Sequence, residues 1–157
     1  MDRTYPSRKY TRLKDKSLYS KTGNATHIII GTHDKVPYFR DAESANAFCR
    51  ILIEAAKQGG NPVYAYCIMP DHVHFLSAPS PERDLITLVK QIKGRFVSDC
   101  RKKGRTVRLQ RGFYDHILRR EEDVREAARY IIANPVRAGI SRKMGEYPFA
   151  GSLEFNL

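Results

Sequence analysis

Two histidines one residue apart, in the run Pro70-Asp71-His72-Val73-His74-Phe75-Leu76, are the side chains of this sequence best suited to chemistry. Alternate residues of a β-strand share a face, so His72 and His74 would point the same way and offer a divalent cation two imidazoles. With 5 histidines in 157 residues, such a pair arises by chance about 0.16 times per sequence of this composition, so it needs company to carry a function. Two half-exposed strand histidines are the competing reading.

A second constellation lies between Val124 and Arg137. Val124, Ala127, Ala128, Ile131 and Ile132 recur at helical spacing and form an apolar stripe. At roughly 100° per residue, Tyr130 falls about 130° from the centre of that stripe, on a flank rather than in the core. Asn134 lies about 40° further round, so a phenol and an amide oxygen would share a face, and Glu126 brings a carboxylate to the same flank. Arg129 and Arg137 are near enough in sequence to hold a phosphate. Each has a plainer reading: surface packing for Tyr130, a polar helix end for Asn134, a solvated acid for Glu126.

Together these groups suit one chemistry. A cation held by two imidazoles and an amide oxygen could polarise a non-bridging oxygen of a phosphodiester while a phenol attacks phosphorus and retains it as phosphotyrosine. His, Asn and water suit Mg²⁺ or Mn²⁺, and no cysteine lies in the motif to favour zinc.

Such residues must be held by elements, and the pattern supplies them. His27 to Thr32 reads as a short strand. Ala45, Phe48, Ile51, Leu52 and Ala55 mark a helix over 41–58 that stops at Gly59-Gly60. Val63–Met69 and His72–Ala78 read as a hairpin around Pro70-Asp71. Leu85, Leu88, Val89, Ile92, Phe96 and Cys100 give a second amphipathic helix ending near Gly104, with a basic outer face. Part of Val107–Leu118 reads as a strand. The third helix begins after Glu121, Glu122 and Asp123 and should end or kink at Asn134, before Pro135. The order βαββαβ plus a helix predicts an α+β, ferredoxin-like (RRM-like) antiparallel sheet with helices on one face and a C-terminal helix carrying Tyr130.

The 157 residues suit one domain, with residues 1–22 as a basic arm and 23–157 as a single catalytic domain. Hydrophobic residues at 41% and charged residues at 29% exclude wholesale disorder. The net charge of +11 favours a polyanionic partner, nucleic acid before an anionic membrane. No run reaches the roughly 18 to 20 apolar residues of a membrane helix, and the first residues lack the apolar core of a secretory signal, so a cytoplasmic protein is expected. Cys49, Cys67 and Cys100 form no C-x-x-C pair and are expected to be reduced and mostly buried.

The sequence resembles the single-tyrosine HUH transposases of small insertion sequences, and particularly the REP-associated tyrosine transposases. The resemblance runs from about Ala25 to Ser152. It rests on M-P-D-H-V-H-F-L at 69–76, L-V-K-Q-I-K-G-R-F at 88–96, F-Y-D-H-I-L-R at 113–119, R-Y-I-I-A-N-P-V-R-A-G-I at 129–140 and Y-P-F-A-G-S at 147–152.

The resemblance implies that His72 and His74 are metal ligands, Tyr130 the nucleophile, and Asn134 a third ligand at a position that is Gln in many family members. It also implies cleavage of single-stranded DNA beside an imperfect, REP-like hairpin, a 5′-phosphotyrosine link and a free 3′-hydroxyl that can rejoin, without ATP. Lys93, Arg95, Arg101, Lys102, Arg105 and Arg108, with Arg129 and Arg137, become candidate DNA contacts, although a charge run is more often a solvated face. Both a homodimer sharing active sites and a lone protomer are compatible with the family. Tyr114 and His116, two apart on a strand, form a lesser candidate pair for nucleophile and base, and His116 is equally open to a structural, DNA-orienting or ligand-supporting role. The contrasting function is an inactive relative or an RRM-like single-strand-binding module, which needs neither the histidine pair nor Tyr130.

Overall fold

A computed structural model describes residues 24–118 and 123–157; the expected basic arm at 1–22 lies outside the described residues. Five strands form one antiparallel sheet: β1 (Thr26–Gly31), β2 (Val63–Met69), β3 (His72–Ser77), β4 (Tyr114–Ile117) and β5 (Ala150–Gly151), in the order β4-β1-β3-β2-β5. Its first four strands have the order of a ferredoxin-like sheet, as expected.

Strand alternation divides the residues by kind. Ile28, Ile30, Ile68, Val73 and Phe75 project to one face, where helices α1 (Ala42–Gly59) and α2 (Leu85–Lys102) cover them. Phe48 of α1 and Phe96 of α2 meet there at a ring separation of 5.0 Å, and Phe39 closes the cluster at 5.2 and 5.4 Å. Both helices start on a carboxylate. Asp41 accepts from the Ser44 backbone N–H, and Asp84 from that of Thr87, at 3.2 and 2.7 Å. Helix α1 ends at Gly60 with φ 71°, a left-handed conformation a side chain would resist.

On the other face, Ala65, Cys67, Met69 and Leu76 lie under Ala127, Ala128 and Ile131 of α3 (Val124–Ile132). The third helix thus packs opposite the first two, and the small residues on both sides bring it close to the sheet.

The C-terminal break comes earlier than Pro135 alone predicts. Helix α3 stops at Ile132, Ala133 turns the chain, and a short helix α4 (Asn134–Arg137) starts with Pro135 in its first turn, where the missing N–H is harmless. Tyr130 and Asn134 therefore sit on two helices rather than on one continuous face. The strand expected within 107–118 is β4, and Leu109 before it makes an isolated bridge to Thr32. All three cysteines are free; Cys67 and Cys100 are buried and Cys49 half-buried, as expected.

Candidate active site

The histidine pair is placed by the β2–β3 hairpin, whose two-residue turn is tied down from outside. Thr32 donates from its backbone N–H and its hydroxyl to the Asp71 carbonyl at 3.0 and 3.1 Å, and Phe39 donates to the Pro70 carbonyl at 3.0 Å. With the turn anchored, His72 and His74 project from β3 to the α3 face, their rings 4.8 Å apart and nearly perpendicular. That much follows the strand reading.

Each ring has its Nδ1 engaged. His72 Nδ1 lies 2.6 Å from the Asp71 carboxylate, and His74 Nδ1 lies 2.9 Å from His27 Nε2. Each therefore keeps Nε2 for another partner. His74 is buried, and burial first, then the charges of His27, His72 and Arg137, hold its pKa well below the ordinary histidine value. A ring kept neutral keeps a lone pair, the form a cation binds. Among the described residues, no three His, Cys, Asp or Glu side chains are grouped closely enough to hold a metal.

Arg137 joins the second constellation to the first. Its guanidinium lies 3.7 Å over the Tyr130 ring, donates to the Tyr130 carbonyl at 2.7 Å and to Asn134 Oδ1 at 2.7 Å, and its charge is felt at both His74 and Cys67. Asn134 also donates from Nδ2 to the Ile131 carbonyl at 3.0 Å. Tyr130, Asn134, Arg137, His72 and His74 are thus gathered on the α3 side of the sheet, with Asn134 Oδ1 held by Arg137. Arg129 is exposed on α3. Glu126 is exposed on α3 too.

The other cations lie elsewhere. Arg95, Arg101 and Lys102 are exposed on α2, across the sheet from the histidines, and Arg50, Arg95 and Lys102 line one groove between α1 and α2. Two expected DNA contacts are engaged within the protein: Lys93 donates to the Gln110 and Gly112 carbonyls, and Arg105 donates to Asp41 Oδ2 and Ser44 Oγ at 2.8 and 2.6 Å. Arg108 is exposed beyond the end of α2. Phe75 of β3 is fully buried in the core.

His27 is the residue sequence reasoning passed over. The signal was present in strand parity: β1 pairs with β3 so that Ile29 faces His74, which puts His27 on the histidine face. Its cross-strand partner on β4 is His116, so four of the 5 histidines share that face.

The profile of the family described as "Transposase IS200 like" matches residues 20–131. The chain belongs to the IS200-like transposase family. A REP-associated tyrosine transposase of Escherichia coli (strain K12) is 28% identical over 100 residues, covering 63% of this chain and 59% of that protein. A relative from Haemophilus influenzae is 26% identical over 98 residues, covering 55% and 56%. This IS200-like chain therefore spans less than two thirds of the length of the curated relatives it matches. A solved REP-associated tyrosine transposase bound to a REP hairpin shares the fold, with a TM-score of 0.70 over 84% of this chain and 78% of that one at 21% identity. Among the described residues, no helix is long and apolar enough to cross a membrane.

Proposed function

We propose that this chain is a cytoplasmic, metal-dependent tyrosine transposase that cleaves and rejoins single-stranded DNA beside a REP-like hairpin. The observation that supports the reading is Arg137, which lies over the Tyr130 ring, donates to Asn134 and carries a charge that reaches His74.

His72 and His74 would hold Mg²⁺ or Mn²⁺ through Nε2, and Asn134 through Oδ1 once Arg137 lets go of it. The bound cation would supply Lewis-acid polarisation of a non-bridging oxygen of the scissile phosphate. Tyr130 attacks phosphorus through its phenol oxygen and loses its proton. The bond from phosphorus to the 3′ oxygen breaks, and that oxygen is protonated to a free 3′-hydroxyl, leaving the 5′-phosphate on Tyr130. Rejoining reverses the step. Arg137 and Arg129, cations on the tyrosine's side of the sheet, would bind phosphate oxygens, and a phosphate that draws Arg137 away frees both Asn134 and the Tyr130 ring. The exposed Arg95, Arg101, Lys102 and Arg108 would hold DNA by charge without reading its sequence.

The test is a labelled single-stranded hairpin library incubated with the protein and Mn²⁺, then run on a denaturing gel. A slow-migrating labelled protein with wild type, absent in Tyr130→Phe, is expected. Salt-sensitive hairpin retention without such a band would replace the enzyme by an inactive binding relative.

A further inference from the structure

We infer that His27 is a positioning residue for the candidate metal site, fixing the tautomer of His74 so that its Nε2 lone pair is presented to the cation. The inference rests on the proposed metal-binding role of His72 and His74 and deepens it.

The geometry leaves two arrangements. His27 Nε2 and His74 Nδ1 are 2.9 Å apart between two buried rings, so one proton lies between them. If His27 donates, His74 accepts at Nδ1, carries its own proton on Nε2 and cannot ligate through that atom. If His74 donates, its Nε2 is bare, and His27 carries its proton on Nδ1. Only the second arrangement makes His74 a ligand at Nε2.

The neighbouring histidine follows the same rule by another route. A carboxylate can only accept, so Asp71, at 2.6 Å, draws a proton to His72 Nδ1, and in the neutral ring that leaves Nε2 bare. Both rings are thus oriented from behind by an acceptor on a different element, a carboxylate in the hairpin turn and an imidazole in β1. Partners of this kind fix a ligand's tautomer and raise its basicity.

The choice of imidazole at 27 has a physical reason. His27 is only 3% exposed, and a carboxylate there would place an unscreened negative charge in the core, close to where a phosphodiester must bind. A neutral ring accepts the hydrogen bond without that charge. The β1–β3 pairing, which sets Ile29 opposite His74 and Leu76 opposite His27, brings the acceptor in at a diagonal of the sheet.

The test begins with the metal-free full chain, ¹⁵N-labelled at histidine, in long-range ¹H–¹⁵N spectra at neutral pH. His74 is expected with its proton on Nδ1, and a proton on Nε2 would overturn the inference. Mn²⁺ titration followed by electron paramagnetic resonance then compares variants. His27→Phe, which removes the acceptor, should shift the His74 proton to Nε2 and weaken Mn²⁺ about 10- to 100-fold. His27→Gln, whose side-chain carbonyl can accept from Nδ1–H, should keep the tautomer and recover most of the affinity, and it also serves if the phenylalanine variant fails to fold. Wild-type Mn²⁺ affinity in a folded His27→Phe would overturn the role of His27 alone. Mn²⁺ binding equally weak in wild type and His72→Ala would overturn the metal site itself, and the inference with it.

Discussion

The two faces of the sheet are built from the same strands to opposite ends. On the α1/α2 face, Ile28, Ile30, Ile68, Val73 and Phe75 are large, apolar and almost wholly buried, and they interlock with Phe48 and Phe96. On the α3 face, Ala65, Cys67, His27, His72 and His74, small or polar, stand beside Met69 and Leu76 under Ala127, Ala128 and Ile131. A β-strand allows this division because neighbouring side chains point to opposite sides. The α1/α2 face carries the larger aromatic core, and the α3 face carries the histidines under the helix that bears Tyr130.

The division can be broken from either side. Tyr130→Phe on the α3 face should reduce covalent attachment to DNA at least about 10³-fold while the unfolding midpoint in urea stays within error of wild type. A matching fall in stability would mean that Tyr130 is packing rather than chemistry. Phe96→Ala on the opposite face should do the reverse, lowering unfolding free energy by about 3–5 kcal/mol in denaturant titrations, with adduct formation retained in the folded fraction.

Smaller changes sharpen the contrast. Ala128→Leu should overfill the narrow layer under α3, costing about 1–3 kcal/mol and lowering adduct yield by more than the unfolded fraction accounts for. Adduct yield that merely tracks stability would show that the spacing of α3 does not matter to the site.

The smallest expected effect is alkaline. Burial pushes the Cys67 thiol up to about 12, against the opposing pull of Arg137. Its folded-state pKa lies above its unfolded value near 9, so this contribution to stability is complete below about pH 9 and is lost as pH rises towards 12. Chemical denaturation across that window should show stability falling with pH, and Cys67→Ala should flatten the fall.

The elements that make up the two faces were largely legible in the sequence. Periodicity located both large helices, the hairpin and the histidine pair, because burial imposes a repeat of two or of 3.6 that side-chain type records. What stayed hidden depended on pairing. His27 looked like one polar residue in an isoleucine run, and only the β1–β3 register turns it toward His74. The side on which α3 packs is equally invisible to its own stripe, which says that the helix is covered but not by which face. Lys93 and Arg105 looked like surface charge, since carbonyls and a carboxylate far along the chain become their partners only on folding. Arg137 meets Tyr130 across the early helix break at Ala133, a turn that Pro135 only foreshadows.

The most direct measurement is to trap the adduct on single-stranded hairpin DNA with Mn²⁺, digest it, and find the nucleotide-bearing peptide by mass spectrometry. The modification is expected on Tyr130, in the peptide spanning 130–137, with its loss in both Tyr130→Phe and His72→Ala. A nucleotide on Tyr114, or an adduct that forms undiminished in His72→Ala, would contradict it.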